Sequence, residues 1–210
     1  MRAALHAEWT KMRTVAAPWW LMLGAVVATV TLSAAGAAVT TELSLLGVYL
    51  GQAPVCILGV LVMSGEHSTG LIRVTLAATP RRGRVLAAKA IVLTGVVAIA
   101  GTVAVLGSLL AASPTLRASA GSILYLILVA QLSLGIATIV RDAATSIGVV
   151  LGLLYLFPIL ARTVGDPHWQ RLLEKIEPTS AGPWAGLGAT AGWAAAALLI
   201  GGLLLRARDA

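Results

Sequence analysis

The chain has 210 residues, of which 59% are hydrophobic and 11% charged, and its formal net charge is +7. A water-soluble domain carries roughly 25% charged residues, so too few polar side chains remain to cover a water-facing surface. Composition therefore excludes a soluble domain, and with it a nucleic-acid binder that presents a basic face on a soluble fold. The single cysteine, Cys56, lies inside an apolar run and has no partner for an internal disulfide. Twelve arginines against three lysines, with abundant Ala and Gly, are compatible with a GC-rich bacterial genome.

In chain order, the first element is amphipathic. Leu5, Trp9, Met12 and Ala16 recur at helical spacing, with Arg2, Glu8, Lys11 and Arg13 between them. This predicts an interfacial helix over 1–17 that lies on the membrane surface. Trp9, Lys11 and Arg13 anchor it, Pro18 stops it, and Trp19 and Trp20 stand where an aromatic belt belongs. A spanning helix needs about 20 apolar residues. Six stretches qualify or come close: Trp19 to Thr40, Leu43 to Ser64, Val85 to Ala111, Ala118 to Val140, Ile147 to Leu160 and Trp184 to Leu205. The fifth is short unless it continues past Pro158. It carries Gly148 and Gly152 at the Gly-x-x-x-Gly spacing that lets helix backbones approach closely. Gly24 and Ala28 make a comparable small-residue face on the first span, for packing within the chain or between two copies. Between the fifth and sixth spans, Asp166 and Pro167 suit a helix start. Trp169, Leu172, Leu173 and Ile176 then form one apolar stripe, which predicts a short external helix over 166–177.

The arrangement expected is an all-α integral membrane protein with six transmembrane helices and both termini in the cytoplasm. With the N-terminus inside, eleven Lys and Arg fall on cytoplasmic pieces and four on outer ones, as the positive-inside rule asks. Absent chemistry narrows the function. No lysine follows a glycine, so there is no phosphate-binding loop. No ionisable residue lies within the spans away from their ends, which argues against proton-coupled transport. The histidines, His6, His67 and His168, are scattered outside the spans and make no catalytic group. The reading is a non-enzyme with no cofactor of its own, and any energy it uses comes from elsewhere.

One polar stretch interrupts the apolar runs: GEHSTGLIRVTLAATPRRGRVLAAK, residues 65–89. Glu66 to Thr79 is predicted as a short helix, with Ser68 and Thr69 suited to its start and Thr79-Pro80 to its end. Arg81, Arg82 and Arg84 then face lipid phosphates. Glu66, Gly70, Leu71, Ile72, Leu76, Pro80, Arg81, Arg82 and Lys89, in that order, resemble the loop motif of the ABC-2-type transporter permease family, the membrane subunits of bacterial ABC exporters. The opening HAEWTKMRT and the closing LLLRARDA resemble the ends of actinobacterial members. The outer loop between the first two spans is nearly absent here, and any substrate-binding feature the family carries there is missing.

The resemblance implies that 66–79 is a coupling helix docking into a separate ABC ATP-binding subunit, present in two copies. Its docking face would be Leu71, Ile72, Thr75 and Leu76, and Glu66 would pair with an arginine of the loop or of the partner. It also implies a second permease, a homodimer mate or a similar paralogue, in contact with the Gly148–Gly152 face, and ATP and Mg bound by the partner ATPase. The function implied is export of an apolar or amphipathic solute (a lipid, a hydrophobic antibiotic or a peptide) across the bacterial plasma membrane. The alternative from another class is a non-transporting scaffold or sensor that recruits a cytoplasmic partner through the 66–89 loop.

Overall fold

A computed structural model describes residues 1–39, 46–71, 75, 82–111, 116–163 and 187–208. The described residues are helical almost throughout. They form α1 (Arg2–Thr14), α2 (Ala16–Val39), α3 (Leu46–Ser68), α4 (Arg82–Ala111), α5 (Leu116–Val140), α6 (Ala143–Leu151, continued by a π-helical turn over Gly152–Leu156 and by Phe157–Thr163) and α7 (Leu187–Arg208). Six of these, α2 to α7, are long and apolar enough to cross a membrane. The protein is thus a multi-pass membrane protein by length and composition.

Several boundaries differ from the sequence expectation. Pro18 does not stop α1. Val15, in an extended conformation, does so, and Pro18 falls in the first turn of α2, where its missing N–H has no intrahelical partner to lose. The fifth span is not short: it starts at Ala143, capped by the Asp142 carboxylate accepting the Thr145 N–H at 2.7 Å, and passes Pro158 to end at Thr163. The hydrogen bonds from Thr145 hold the Asp142 carboxyl below its ordinary range. A proline ring in a regular α-helix clashes with the carbonyl four residues back, here Leu154. The π-helical turn, in which the Phe157 N–H reaches the Gly152 carbonyl, widens the helix just there. Arg141 takes a left-handed backbone, φ 67°, and its N–H returns to the Ala137 carbonyl. A two-residue link thereby reverses the chain between α5 and α6.

The core is organised around α5, which packs against α3, α4, α6 and α7, while α2 lies along α3 and α4. Close approach depends on a few glycines. A Cβ at Gly59 would come within 2.7 Å of the Ala130 carbonyl oxygen, and one at Gly135 within 2.7 Å of Ala197 backbone. Buried hydroxyls return to their own helix: Ser64, Ser108, Ser133 and Thr138 each donate to the carbonyl four residues earlier. No water is available to satisfy them in a bilayer. Gln131 ties α5 to α4 by donating to the Ala90 carbonyl at 2.9 Å and to Thr94 Oγ1 at 2.7 Å.

Candidate functional site: a buried ion cluster beside Thr75

α1, the end of α3 with Thr75, the start of α4 and the end of α7 meet at one end of the helix bundle. Here α1 lies on α4, and its buried face carries Glu8 and Met12. Trp9, one residue along, points away and is exposed. The predicted stripe therefore divides: Met12 docks on protein while Trp9, with Trp19 and Trp20, remains on the outside. Arg13 is exposed as well.

Glu66 is not the start of a separate helix. It occupies the last turns of α3, which runs on to Ser68. Ser68 and Thr69 donate their hydroxyls back to the Gly65 carbonyl at 3.1 and 2.7 Å, closing the end of α3 and not opening the next helix. Gly70 follows at φ +70°, a backbone that side-chain-bearing residues rarely adopt, and the chain breaks there. The backbone is helical again at Leu71 and at Thr75. Leu71 is 48% exposed.

Around Glu66 the structure assembles four charges from three helices. Lys89, seven residues into α4 and 1% exposed, donates to Glu8 Oε2 at 2.8 Å, to Glu66 Oε1 at 2.7 Å and to the Val62 carbonyl at 3.2 Å. An ammonium has three N–H donors, and all three are used. Lys11 donates to Glu66 Oε1 at 2.6 Å, to Glu8 Oε1 at 3.0 Å and to Thr75 Oγ1 at 3.4 Å. Glu8 and Glu66 are 4% and 6% exposed. Two carboxylates and two ammoniums form a closed, neutral ring, the condition under which buried charge is tolerated. Partial burial lowers the pKa of Lys11, but the hydrogen bonds and charges of Glu66 and Glu8 outweigh it, so the amine titrates above its ordinary value.

The consequence is mechanical. The ring joins α1, α3 and α4 to one another and, through Lys11, to Thr75. A second tie lies beside it: Arg82, at the start of α4, donates to the carbonyls of Leu205 and Arg206 at the end of α7, at 2.9 and 3.2 Å. These orphan carbonyls at a helix C-terminus favour a cation.

Set against the sequence expectations, Glu66, Thr75 and Arg82 come to this one end of the bundle with Leu71, while Ile72, Leu76, Pro80 and Arg81 lie outside the described residues. So do Trp169, Leu172, Leu173 and Ile176. Glu66 is held by two lysines, Lys11 and Lys89, while Arg73 and Arg81 of its loop lie outside the described residues. Lys11 faces the protein, not only lipid. Glu8 was missed as a site residue, and Lys89 was noted only as part of the motif. The available signal was a lone lysine seven residues inside an otherwise apolar helix. Among the described residues nothing lies within 4 Å of a Cβ built at Gly148, Gly152 or Gly24, so none of them makes a close approach there. Ala28 is half-buried. Among the described residues no cluster of three or more His, Cys, Asp or Glu side chains is arranged to hold a metal ion. No protein-family model matches the chain, and no curated protein matches it.

Proposed function

We propose that the chain is the membrane-spanning permease subunit of an ATP-driven exporter of the ABC-2 type, working with a separate ATP-binding subunit. The observation that carries this reading is the ring of Glu8, Lys11, Glu66 and Lys89 with its contact to Thr75. A segment that is to convey the motion of a partner into a membrane bundle needs a stiff connection to several helices, and this ring supplies one. Two further features support it: the exposed Leu71 beyond the Gly70 break, and the arginine-rich turn that begins α4. In this reading the end of the bundle bearing both termini is cytoplasmic, in accord with its excess of Lys and Arg. The ATPase pair closes on ATP, pushes the 71–81 segments, and opens a path between two permeases. An uncharged path suits an apolar or amphipathic solute.

The test is a detergent pull-down of the tagged chain from its host, with ATPase activity assayed on the eluate, for wild type and for a Leu71→Asp, Ile72→Asp variant. The expected result is an ATPase that accompanies wild type and falls about tenfold or more with the variant, since a charge in an apolar docking face is poorly accommodated. An intact chain that brings down no ATPase in either form refutes the reading. A non-ATPase partner lost with the same variant establishes the scaffold reading in its place.

A further inference from the structure

The first helix, α1, has three sides of different character. Glu8 and Met12 are buried against the bundle, and Lys11 is drawn into the ion ring beside them. Arg2, His6, Trp9 and Arg13 are all exposed. They follow one another at spacings of four, three and four residues, so they share a second side. Ala3, Ala7, Thr10 and Thr14, small and also exposed, make the third. Glu8 is the only acid of this helix, and both its oxygens are engaged by the lysines of the ring. The second side therefore carries two guanidiniums, an imidazole and an indole with no carboxylate beside them. Among the described residues neither guanidinium has a carboxylate partner.

A helix of 13 residues is marginal in water on its own, and the bundle buries only Glu8 and Met12 of it. One extended residue, Val15, separates α1 from α2, a candidate membrane span that begins at Ala16. The short link keeps α1 at the level where bilayer meets water. Trp9 is exposed there, as are Trp19 and Trp20 at the start of α2, and indole rings favour that level. Guanidiniums grip phosphate through paired N–H···O bonds, and a histidine ring adds a further donor. An acidic protein surface would match the charges but offers no apolar layer for the indoles; an anionic bilayer surface offers both. We infer that the side of α1 bearing Arg2, His6, Trp9 and Arg13 is a docking surface for anionic phospholipid headgroups, and that their binding holds α1, and with it the ion ring, in place. The arginines and the ring residues Glu8 and Lys11 stand on one helix, so lipid that favours docked α1 also favours the closed ring. The inference needs α1 at a membrane surface and nothing of the ATPase. In the permease reading it makes the hold on Thr75 depend on the charge of the membrane.

The experiment uses the full chain, without any partner, in nanodiscs of phosphatidylcholine alone or mixed two to one with phosphatidylglycerol. Amide hydrogen exchange is followed across α1 and across the last turn of α3, which bears Glu66. In wild type α1 should exchange about twentyfold more slowly in the anionic discs, about fivefold for each arginine. The end of α3 should slow with it. Arg2→Gln, Arg13→Gln should lose the difference while matching wild type in phosphatidylcholine. Equal exchange of wild-type α1 in the two membranes overturns the inference. So does a double variant that already exchanges faster than wild type in phosphatidylcholine, because the arginines would then be acting on protein. Slowing of α1 without slowing at the end of α3 refutes the link to the ring. Arg84→Gln, which removes an exposed cation of α4, should leave the difference standing; a loss as large as the double variant's would assign the effect to diffuse surface charge and sink the site. Glycerol phosphate added to phosphatidylcholine discs should have no effect, and slowing by that free anion would take the membrane out of the proposal. Because no ATPase is present, loss of the lipid effect leaves the exporter reading standing. Failure to co-purify an ATPase likewise leaves the lipid surface standing.

Discussion

Two polar clusters lie on the same helix, α3, fourteen residues or about 21 Å apart: Glu66 with its ring of charges, and Gln52 with its tyrosines. The first contains four ionised groups and leaves no ammonium N–H unused. The second contains no charge: Tyr125 donates to Gln52 Oε1 and Tyr155 to the Tyr49 carbonyl. Removing one member of the first strands a buried charge, while removing one member of the second strands only a neutral group, which costs less. The contrast separates a stiff fastening from a softer one.

Lys89→Met gives the largest expected effect. Two buried carboxylates would keep only the partly exposed Lys11, and breaking a buried pair by removing one member costs about 3–5 kcal/mol. A thermal melt of the purified chain in detergent reads this directly, and adding Glu8→Gln should recover part of the loss. A single variant that melts within a degree of wild type would mean the ring is not a fastening. Tyr125→Phe should cost about 1–2 kcal/mol, because Gln52 Oε1 then loses its donor. The double change Tyr125→Phe, Gln52→Leu should be milder than Tyr125→Phe alone, since replacing both members by apolar groups is nearly neutral. A double variant worse than the single would place Gln52 among the stiff fastenings and erase the contrast.

Lys11→Met should be smaller still, under about 1 kcal/mol: its side chain is 38% exposed, and the fully buried Lys89 continues to hydrogen-bond both carboxylates. The sign of its pH dependence follows from its raised pKa. The contribution is complete below the unfolded value of 10.5 and fades only as pH climbs through the folded value above it. The difference in melting temperature between wild type and Lys11→Met should therefore be flat from about pH 6 to 9. A difference that changes within that range would contradict the ion pairing seen here.

The spans were legible because length and apolarity decide them, and six were placed within a few residues of their ends. Contacts across the bundle were not. A helical repeat shows that Lys11 lies on the polar side of α1, but not that Glu66 waits on that side. The hydroxyls of Ser68 and Thr69 suit either end of a helix, because the same oxygen can accept from an N–H or donate to a carbonyl; the left-handed Gly70 decides between them. Glycine spacing is ambiguous for a related reason. Gly148 and Gly152 have the spacing of a contact face and make no close approach among the described residues, while Gly59 and Gly135, without it, do. The spacing describes one helix, and contact needs two. The tyrosine cluster was invisible because its members stand 76 and 30 residues apart along the chain, at positions 49, 125 and 155.

The π-helical turn over Gly152–Leu156 bears on how kinship to this chain should be traced. Such a turn is one residue inserted into an α-helix, and it swings everything beyond it by about 100° relative to an uninterrupted helix. A related chain that lacks the insertion would match residue for residue only with a gap between positions 152 and 156. Aligned without one, it would credit the place of Tyr155 to a side chain on another face of the helix. Descent of the tyrosine cluster can be followed only by tracking the insertion together with the residue it orients.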